Sequence, residues 1–429
     1  MLAAATNTNV KNTSYKVVLP FYLYAAFSFL AAAVLLFIST STFSGHYFQP
    51  KILAITHTMA LGWGTMIILG ASHQLVPVLI ESKLYSNTLA YISFILAAIG
   101  IPLLVYGFYI FDMGWPAQWG GCLVALAILA YLINIAVSII KSKSENVHAI
   151  FVFTATAWLF FTVVLGLAQV HNFTANILPS DSLHYLTLHA HAGIVGWFLL
   201  LVLGIASRLI PMFLISKYNN AKLLWWIYTL INLAILVFIA LFLYPGNRVL
   251  LFAPVILIFA ALNLFIYYCL QAYKQRIRKQ VDEQVKLSLL SVLMLLLPVL
   301  LLIIVIIFLI STTGEKLNLI LTYGFLIFFG WITAIILGMT FKTLPFIVWN
   351  KMYHQRSGLG KTPNPKDLFN NNIFKSMAVA YIAGFIIFVI GILTGKDILL
   401  KSGAVLLLIT ALLYNQNVLK VILHKPKQA

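Results

Sequence analysis

His57-TMAL-Gly62-Trp63-GTMII-Leu69-Gly70-ASHQLV-Pro77 decides the fold, because the chain carries this pattern three times. The second copy, His191-AGIV-Gly196-Trp197-FLLLV-Leu203-Gly204-IASRLI-Pro211, follows after 134 residues. The third, Phe325-LIFF-Gly330-Trp331-ITAII-Leu337-Gly338-MTFKTL-Pro345, comes 134 residues later again. Gly, Trp, Leu, Gly and Pro keep their offsets in all three copies, whereas histidine opens only the first two. A repeated unit of this length is one supersecondary module, and three of them are expected to pack around a shared axis.

Composition sets the medium in which that module folds. With 62% hydrophobic and 8% charged residues and a mean hydropathy of +1.01, the chain reads as an integral membrane protein. A helix crossing a bilayer needs about 20 apolar residues. Twelve such runs occur, centred near residues 28, 66, 99, 129, 159, 200, 233, 260, 299, 334, 383 and 411. The expected fold is an all-α membrane protein, a single membrane domain over 1–429. Its three four-helix pseudo-threefold repeats run over approximately 15–143, 147–280 and 284–424, with the signature on the second helix of each. Segments two, six and ten run past 25 residues, so they are expected to tilt or protrude. The N-terminus shows no charged-then-apolar leader with a small-residue cleavage site, so the first helix is expected to be retained.

The net charge of +18 invites a nucleic-acid reading, but its placement argues against one. With the N-terminus in the cytoplasm, only Lys51, Arg248, Lys316, Lys396 and Lys401 fall near outer ends. The other 22 of 27 basic residues, including Lys274, Arg276, Arg278 and Lys279, lie toward the inner side. This is the positive-inside bias of a multi-pass protein of a bacterial-type inner membrane with both termini cytoplasmic. Anionic lipid headgroups are therefore the expected partners of these loops. Cys122 and Cys269 lie in apolar segments and form neither a disulfide framework nor a metal motif.

The histidines carry the chemistry. His46, His57, His171, His184, His189 and His191 cluster near the outer ends of helices two and six. An ionisable side chain inside a span marks a functional site by default. His57 and His191 share a repeat position. His189 lies about 200° from His191 around a helix, so the two face different neighbours and do not chelate one small ion. His184, seven residues before His191, falls on nearly the same face, and is read as a metal or propionate contact or as a solvated interfacial ring. His46 and His171 read as loop residues, and His148, His354 and His424 as solvated inner residues. His73 lies 16 residues after His57, roughly 24 Å along an α-helix and on its opposite face, with Ser207 and Phe341 as repeat equivalents.

The remaining features read mainly as packing. Gly62 and Gly70 fall about 80° apart on an α-helix and admit a close neighbour or a planar ligand. Pro77, Pro211 and Pro345 kink or end their helices. Gln74, Arg208 and Lys342 are repeat equivalents that snorkel toward the inner interface. No carboxylate chain crosses the membrane, and the chain has no P-loop, dinucleotide fingerprint, Cys–X–X–Cys–His motif or broken-helix carrier pattern.

The string His189-Ala-His191-AGIVGWFLLLVLGIASRLIP resembles the His–X–His helix of heme-copper oxidase subunit I, most nearly its C-type branch. The Gly-Trp step and the proline 20 residues after the second histidine are shared. His57, in the second helix, resembles that superfamily's low-spin haem ligand, and twelve helices in three arcs match its fold. The segment from His191 to Arg208 also resembles NnrS, a twelve-helix haem membrane protein linked to nitric oxide metabolism. The resemblance implies haem b, one or two per chain, with His57 and His191 as axial ligands and His189 as a second haem or metal ligand. It also implies a diatomic gas, NO or oxygen, and a redox donor as partners.

Departures limit what transfers. The oxidase pair lies on helix ten, whereas here it lies on helix six, and helix ten carries Phe325 at the equivalent position. Helix seven, LLWWIYTLINLAILVFIALFLY, lacks the adjacent histidines that complete a copper site, and the cross-linked tyrosine has no counterpart. Copper or another second metal thus has no complete ligand set, and conventional proton-pumping oxygen reduction is not expected. The favoured reading is a haem b protein, with a site between helices two and six, in nitric oxide or oxygen handling or electron transfer. Two rivals stay open: a cofactor-free relative acting as a transporter or respiratory-complex assembly factor, and a noncanonical nitric oxide or oxygen reductase.

Overall fold

The computed structural model describes residues 13–142, 146–312, 316–353 and 362–425. Apart from one isolated bridge, the described residues form helices and their connections. Twelve helices are long and apolar enough to cross a membrane. They are α1 (Tyr15–Ile38), α2 (Pro50–Leu79), α3 (Asn87–Ile110), α4 (Trp115–Ile140), α5 (Val147–Ala175) and α6 (Leu186–Leu214). Then come α7 (Ala221–Leu243), α8 (Arg248–Lys274), α9 (Glu283–Ser311), α10 (Leu317–Tyr353), α11 (Asn371–Thr394) and α12 (Asp397–Ile422). The chain is a multi-pass membrane protein. Helices answer the bilayer's main demand, since each backbone N–H and C=O finds its partner within the same segment.

The signature helices α2, α6 and α10 are the most enclosed, with 78%, 72% and 72% of their apolar windows buried against 22–50% for the other nine. Length does not single them out: α2, α6 and α10 have 30, 29 and 37 residues, but α5 and α9 also have 29. What distinguishes them is a π-helical segment at the same register in each, Thr58–Thr65, Ala192–Leu199 and Leu326–Ile332. Each follows directly on His57, His191 or Phe325 and contains the Gly-Trp step. A π segment, with its i→i+5 bonds, is rare and concentrates at functional sites. In α10 the Thr333 hydroxyl follows the same spacing, donating to the Phe328 carbonyl five residues back at 2.7 Å. The π segment alters rotation and rise between its ends. The angle expected between Gly62 and Gly70, and the placement expected for His73 relative to His57, were reckoned on an α-helix, and both span residues that are π-helical.

The chain forms two compact units. The first contains residues 13–18 and 69–280, hence the end of α2 and all of α3–α8. The second contains 19–68 and 281–425, hence most of α1, the start of α2 and α9–α12. The boundary at 280/281 falls between the second and third expected repeats.

Within the first unit, α3 and α4 meet through glycines. A Cβ on Gly120 would lie 2.4 Å from the Leu104 nitrogen, and one on Gly100 would lie 2.9 Å from the Gly120 oxygen. The α11–α12 pair of the second unit repeats this, with Gly403 against the Phe388 nitrogen at 2.7 Å and Gly391 against the Leu400 nitrogen at 2.9 Å. Both hairpins also share an asparagine clasp. Asn134 accepts from the Ser86 N–H and donates to the Ser86 carbonyl, both at 2.9 Å. Asn417 does the same to Asn370, again at 2.9 Å for both bonds. The middle repeat has Tyr268 where the first has Asn134, and its hydroxyl reaches the Ser207 carbonyl of α6 at 3.0 Å. Tyrosines of the fourth helices bind the other two signature helices, Tyr131 to Ser72 at 2.6 Å and Tyr414 to Thr340 at 3.0 Å.

Glycine contacts also bind the signature helices to their neighbours. Gly196 and Gly204 of α6 press on Trp158 and Phe151 of α5, with built Cβ distances of 2.6 and 2.4 Å. Gly338 of α10 presses on Gln284 and Ser288 of α9. These positions are helix contacts, as the packing reading of the repeat glycines expects.

Overpacking a tight contact costs about 1–3 kcal/mol. Gly120→Ala is expected to lower the thermal unfolding midpoint in detergent by a corresponding amount. Gly246→Ala, whose Cβ would meet nothing nearer than 3.9 Å, should leave it unchanged.

Candidate functional site

His57 and His191 have the same local structure. Each is the last α-helical residue before its π segment. Each places Nδ1 2.8 Å from the carbonyl four residues back, Leu53 for His57 and Thr187 for His191. A carbonyl only accepts, so Nδ1 carries the proton and the neutral ring keeps its lone pair at Nε2. A backbone carbonyl on one ring nitrogen is the arrangement that orients an imidazole for metal ligation through the other. Both rings are half-buried. His57 belongs to the second unit, and His189 and His191 to the first.

His189 and His191 face different helices, as their spacing expects. His189 turns toward α5, with Nδ1 3.0 Å from the Thr162 carbonyl. Its Cε1 lies where a side chain on Gly166 would begin, 2.7 Å from a built Cβ, so only glycine leaves room for the ring. This is also a hydrogen bond to a neighbouring helix. His191 instead lies against Phe238 of α7, with ring centroids 5.1 Å apart. His184 is exposed and packs on Phe242, one turn along the same α7 face, at 4.8 Å. The seven-residue spacing thus does put His184 and His191 on one face.

The other histidines divide differently from expectation. His46 lies in a loop, stacked on Tyr47 at 4.2 Å and accepting from the Phe48 N–H at 3.0 Å. His171 belongs to α5 and not to a loop, with Nδ1 on the Leu167 carbonyl at 3.0 Å. His73 is fully buried edge-on to Tyr131 at 5.4 Å, which gives it a local role. His148 is buried and not solvated: its Nδ1 sits 3.0 Å from both the Gly204 carbonyl and the Ser207 hydroxyl. His424 is half-buried and its Nε2 meets the Tyr353 hydroxyl at 2.8 Å. His354 lies outside the described residues.

The His148 contact has relatives in the other repeats. Positions 148 and 282 are equivalent, as are 208 and 342, and Lys342 forms an ion pair with Asp282. Lys342 is therefore held by a carboxylate at the start of α9, where snorkelling was expected. In the first repeat, the Thr13 hydroxyl donates to the His73 carbonyl at 2.7 Å. In each repeat, the start of the first helix is thus fastened to the end of the second.

In the third repeat, aromatic rings fill the histidine position. Phe325 stacks on Phe388 at 4.5 Å and 16° and on Phe329 at 4.9 Å and 13°. Phe385 lies parallel at 6.0 Å, and Phe43 meets the stack edge-on. Trp63 and Trp331 also read as packing residues. Trp63 stacks on Phe29 at 4.6 Å and donates to the Thr333 hydroxyl at 3.2 Å. The Trp331 Nε1 is buried with no acceptor among the described residues.

No group of three or more His, Cys, Asp or Glu side chains able to hold a metal ion occurs among the described residues. Cys122 and Cys269 are free thiols. The donor set is thus single imidazoles on apolar helices. It fits a porphyrin, which supplies four nitrogen donors itself and asks the protein for one or two axial ligands. The π segments, the Gly166 clearance and the Phe238 contact had no sequence signal beyond the repeat and an isolated glycine. Neither protein-family models nor characterised protein sequences yield a match to this chain.

Phe325→Ala removes a buried ring from this stack, and a buried Phe→Ala change costs about 3–5 kcal/mol. The variant is expected to unfold at clearly lower temperature in detergent, whereas Phe325→Leu should lose less than half as much.

Proposed function

We propose that this chain is a haem b membrane protein with the architecture of heme-copper oxidase subunit I, acting in nitric oxide or oxygen handling or in electron transfer. One observation carries the reading. Two repeat-equivalent histidines, His57 and His191, each hold the Nδ1–H tautomer by a 2.8 Å bond to their own helix, immediately before a π segment. The proposal assigns them as axial ligands through Nε2, and His189 as the ligand of a second haem or metal. It places the protein in a bacterial-type inner membrane with both termini in the cytoplasm. When bound, haem b supplies one-electron chemistry and, with an open sixth position, reversible binding of NO, CO or oxygen.

The chain's own work is orientation and exclusion of water. The Leu53 and Thr187 carbonyls fix the rings and raise the basicity of Nε2. Phe238 closes one side of His191 with an apolar ring. Apolar walls of this kind disfavour net charge at a bound iron and tune its potential. The Asp282–Lys342 and His148–Ser207 contacts hold signature helices α10 and α6 against the start of their repeats, and so support the register of the ligand positions.

A reduced-minus-oxidised absorption spectrum of detergent-purified protein tests the assignment. The wild type is expected to show b-type bands that are lost or shifted in His57→Ala and in His191→Ala but kept in His424→Ala. A band shift on adding CO or NO would mark an open sixth position, and no shift a closed bis-histidine carrier. Full b-type spectra in both ligand-position variants would overturn the assignment.

A further inference from the structure

The ends of the first two signature helices share a turn that differs in one telling respect. Glu81 and Ile215 are repeat equivalents, and both adopt the left-handed conformation at φ 50° and 52°. In both turns the next serine donates to the helix proline, Ser82 N–H to the Pro77 carbonyl at 3.1 Å and Ser216 N–H to the Pro211 carbonyl at 2.9 Å. A lysine follows each, Lys83 and Lys217. Both turns are also fastened to the chain leaving the fourth helix. In the first repeat the Ser142 hydroxyl donates to the Ile80 carbonyl at 2.7 Å. In the second, Ser216 bridges to Arg276, the equivalent of Ser142, and the Ile277 N–H donates to the Ile215 carbonyl at 3.2 Å.

The second turn has exchanged an acid for a branched apolar residue and a serine for an arginine. A β-branched side chain in the left-handed region is a genuine outlier, so its retention asks for a reason. Ile215 and Ile277 stand 53% and 62% exposed, side by side at the end of membrane helices. Lys217, Lys274 and Lys279, each within three residues of the bridge between Ser216 and Arg276, are exposed. Arg276 is clamped: its guanidinium carbon lies 3.8 Å over the Tyr273 ring and its Nη1 donates to the Tyr273 carbonyl at 2.8 Å. That carbonyl is its only side-chain acceptor among the described residues, and no carboxylate pairs with Arg276, Lys217, Lys274 or Lys279 there. A fixed guanidinium flanked by lysines fits a phosphate, and two exposed isoleucines beside it fit acyl chains.

We propose that the bridged turns 215–217 and 274–279 form a binding site for the phosphate headgroup of an anionic phospholipid. The zwitterionic alternative lacks the net charge to match these four cations. Free phosphate leaves the exposed isoleucines without a function.

The test is native mass spectrometry of delipidated full-length protein titrated with phosphatidylglycerol, phosphatidylcholine or inorganic phosphate. Wild type is expected to retain phosphatidylglycerol in preference to phosphatidylcholine, and inorganic phosphate at matched concentration should not displace it. Arg276→Gln and Ile215→Glu should each weaken phosphatidylglycerol binding about fivefold or more, while Lys375→Gln, an equal loss of charge elsewhere, should not. Ile215→Glu installs the residue that the first repeat already holds in the same turn, so folding is not at risk. Unchanged binding in both site variants, equal weakening by Lys375→Gln, no preference over phosphatidylcholine, or displacement by phosphate would each overturn the proposal.

Discussion

A polar ring placed inside an apolar span must find its hydrogen-bond partner within the protein, and here the signature helix supplies it. His57 and His191 each give Nδ1–H to the carbonyl one turn back, at 2.8 Å. That bond sets the tautomer and the ring orientation together. The π segment beginning at the next residue then changes the helical phase, so the residues beyond it do not continue the histidine's α-helical face. The remaining architecture holds these enclosed helices in register, through glycine contacts, buried tyrosines and a fastened end in each repeat.

The three repeats have diverged unequally. The first and third keep glycine-paired hairpins and asparagine clasps, and the middle one replaces the clasp with Tyr268 on Ser207. At the residue that precedes the π segment the division is different: the first two repeats keep histidine, while the third has a stack of phenylalanines around Phe325. The π segment persists in the third repeat without a histidine. It is therefore a property of the Gly-Trp helix itself and not of the histidine that precedes it in the first two repeats.

Much of this was legible in the residues. The twelve apolar helices follow from hydropathy alone. The divergent directions of His189 and His191 follow from two residues of α-helix. The π segments do not, because no side-chain pattern encodes an i→i+5 bond. The partners of His148 and Lys342, Ser207 and Asp282, lie about 60 residues away in sequence, beyond the reach of local pattern. The proposed cofactor is the least legible part, because single imidazoles do not specify the group they would bind.

Haem and iron content per chain is the most direct test of the central claim that the histidine positions serve a porphyrin. Protein expressed with ample haem should carry iron and protoporphyrin in equal amounts, at one or two per chain. A colourless protein with iron and porphyrin well below one per chain would contradict the account and leave the helical scaffold without its proposed cofactor.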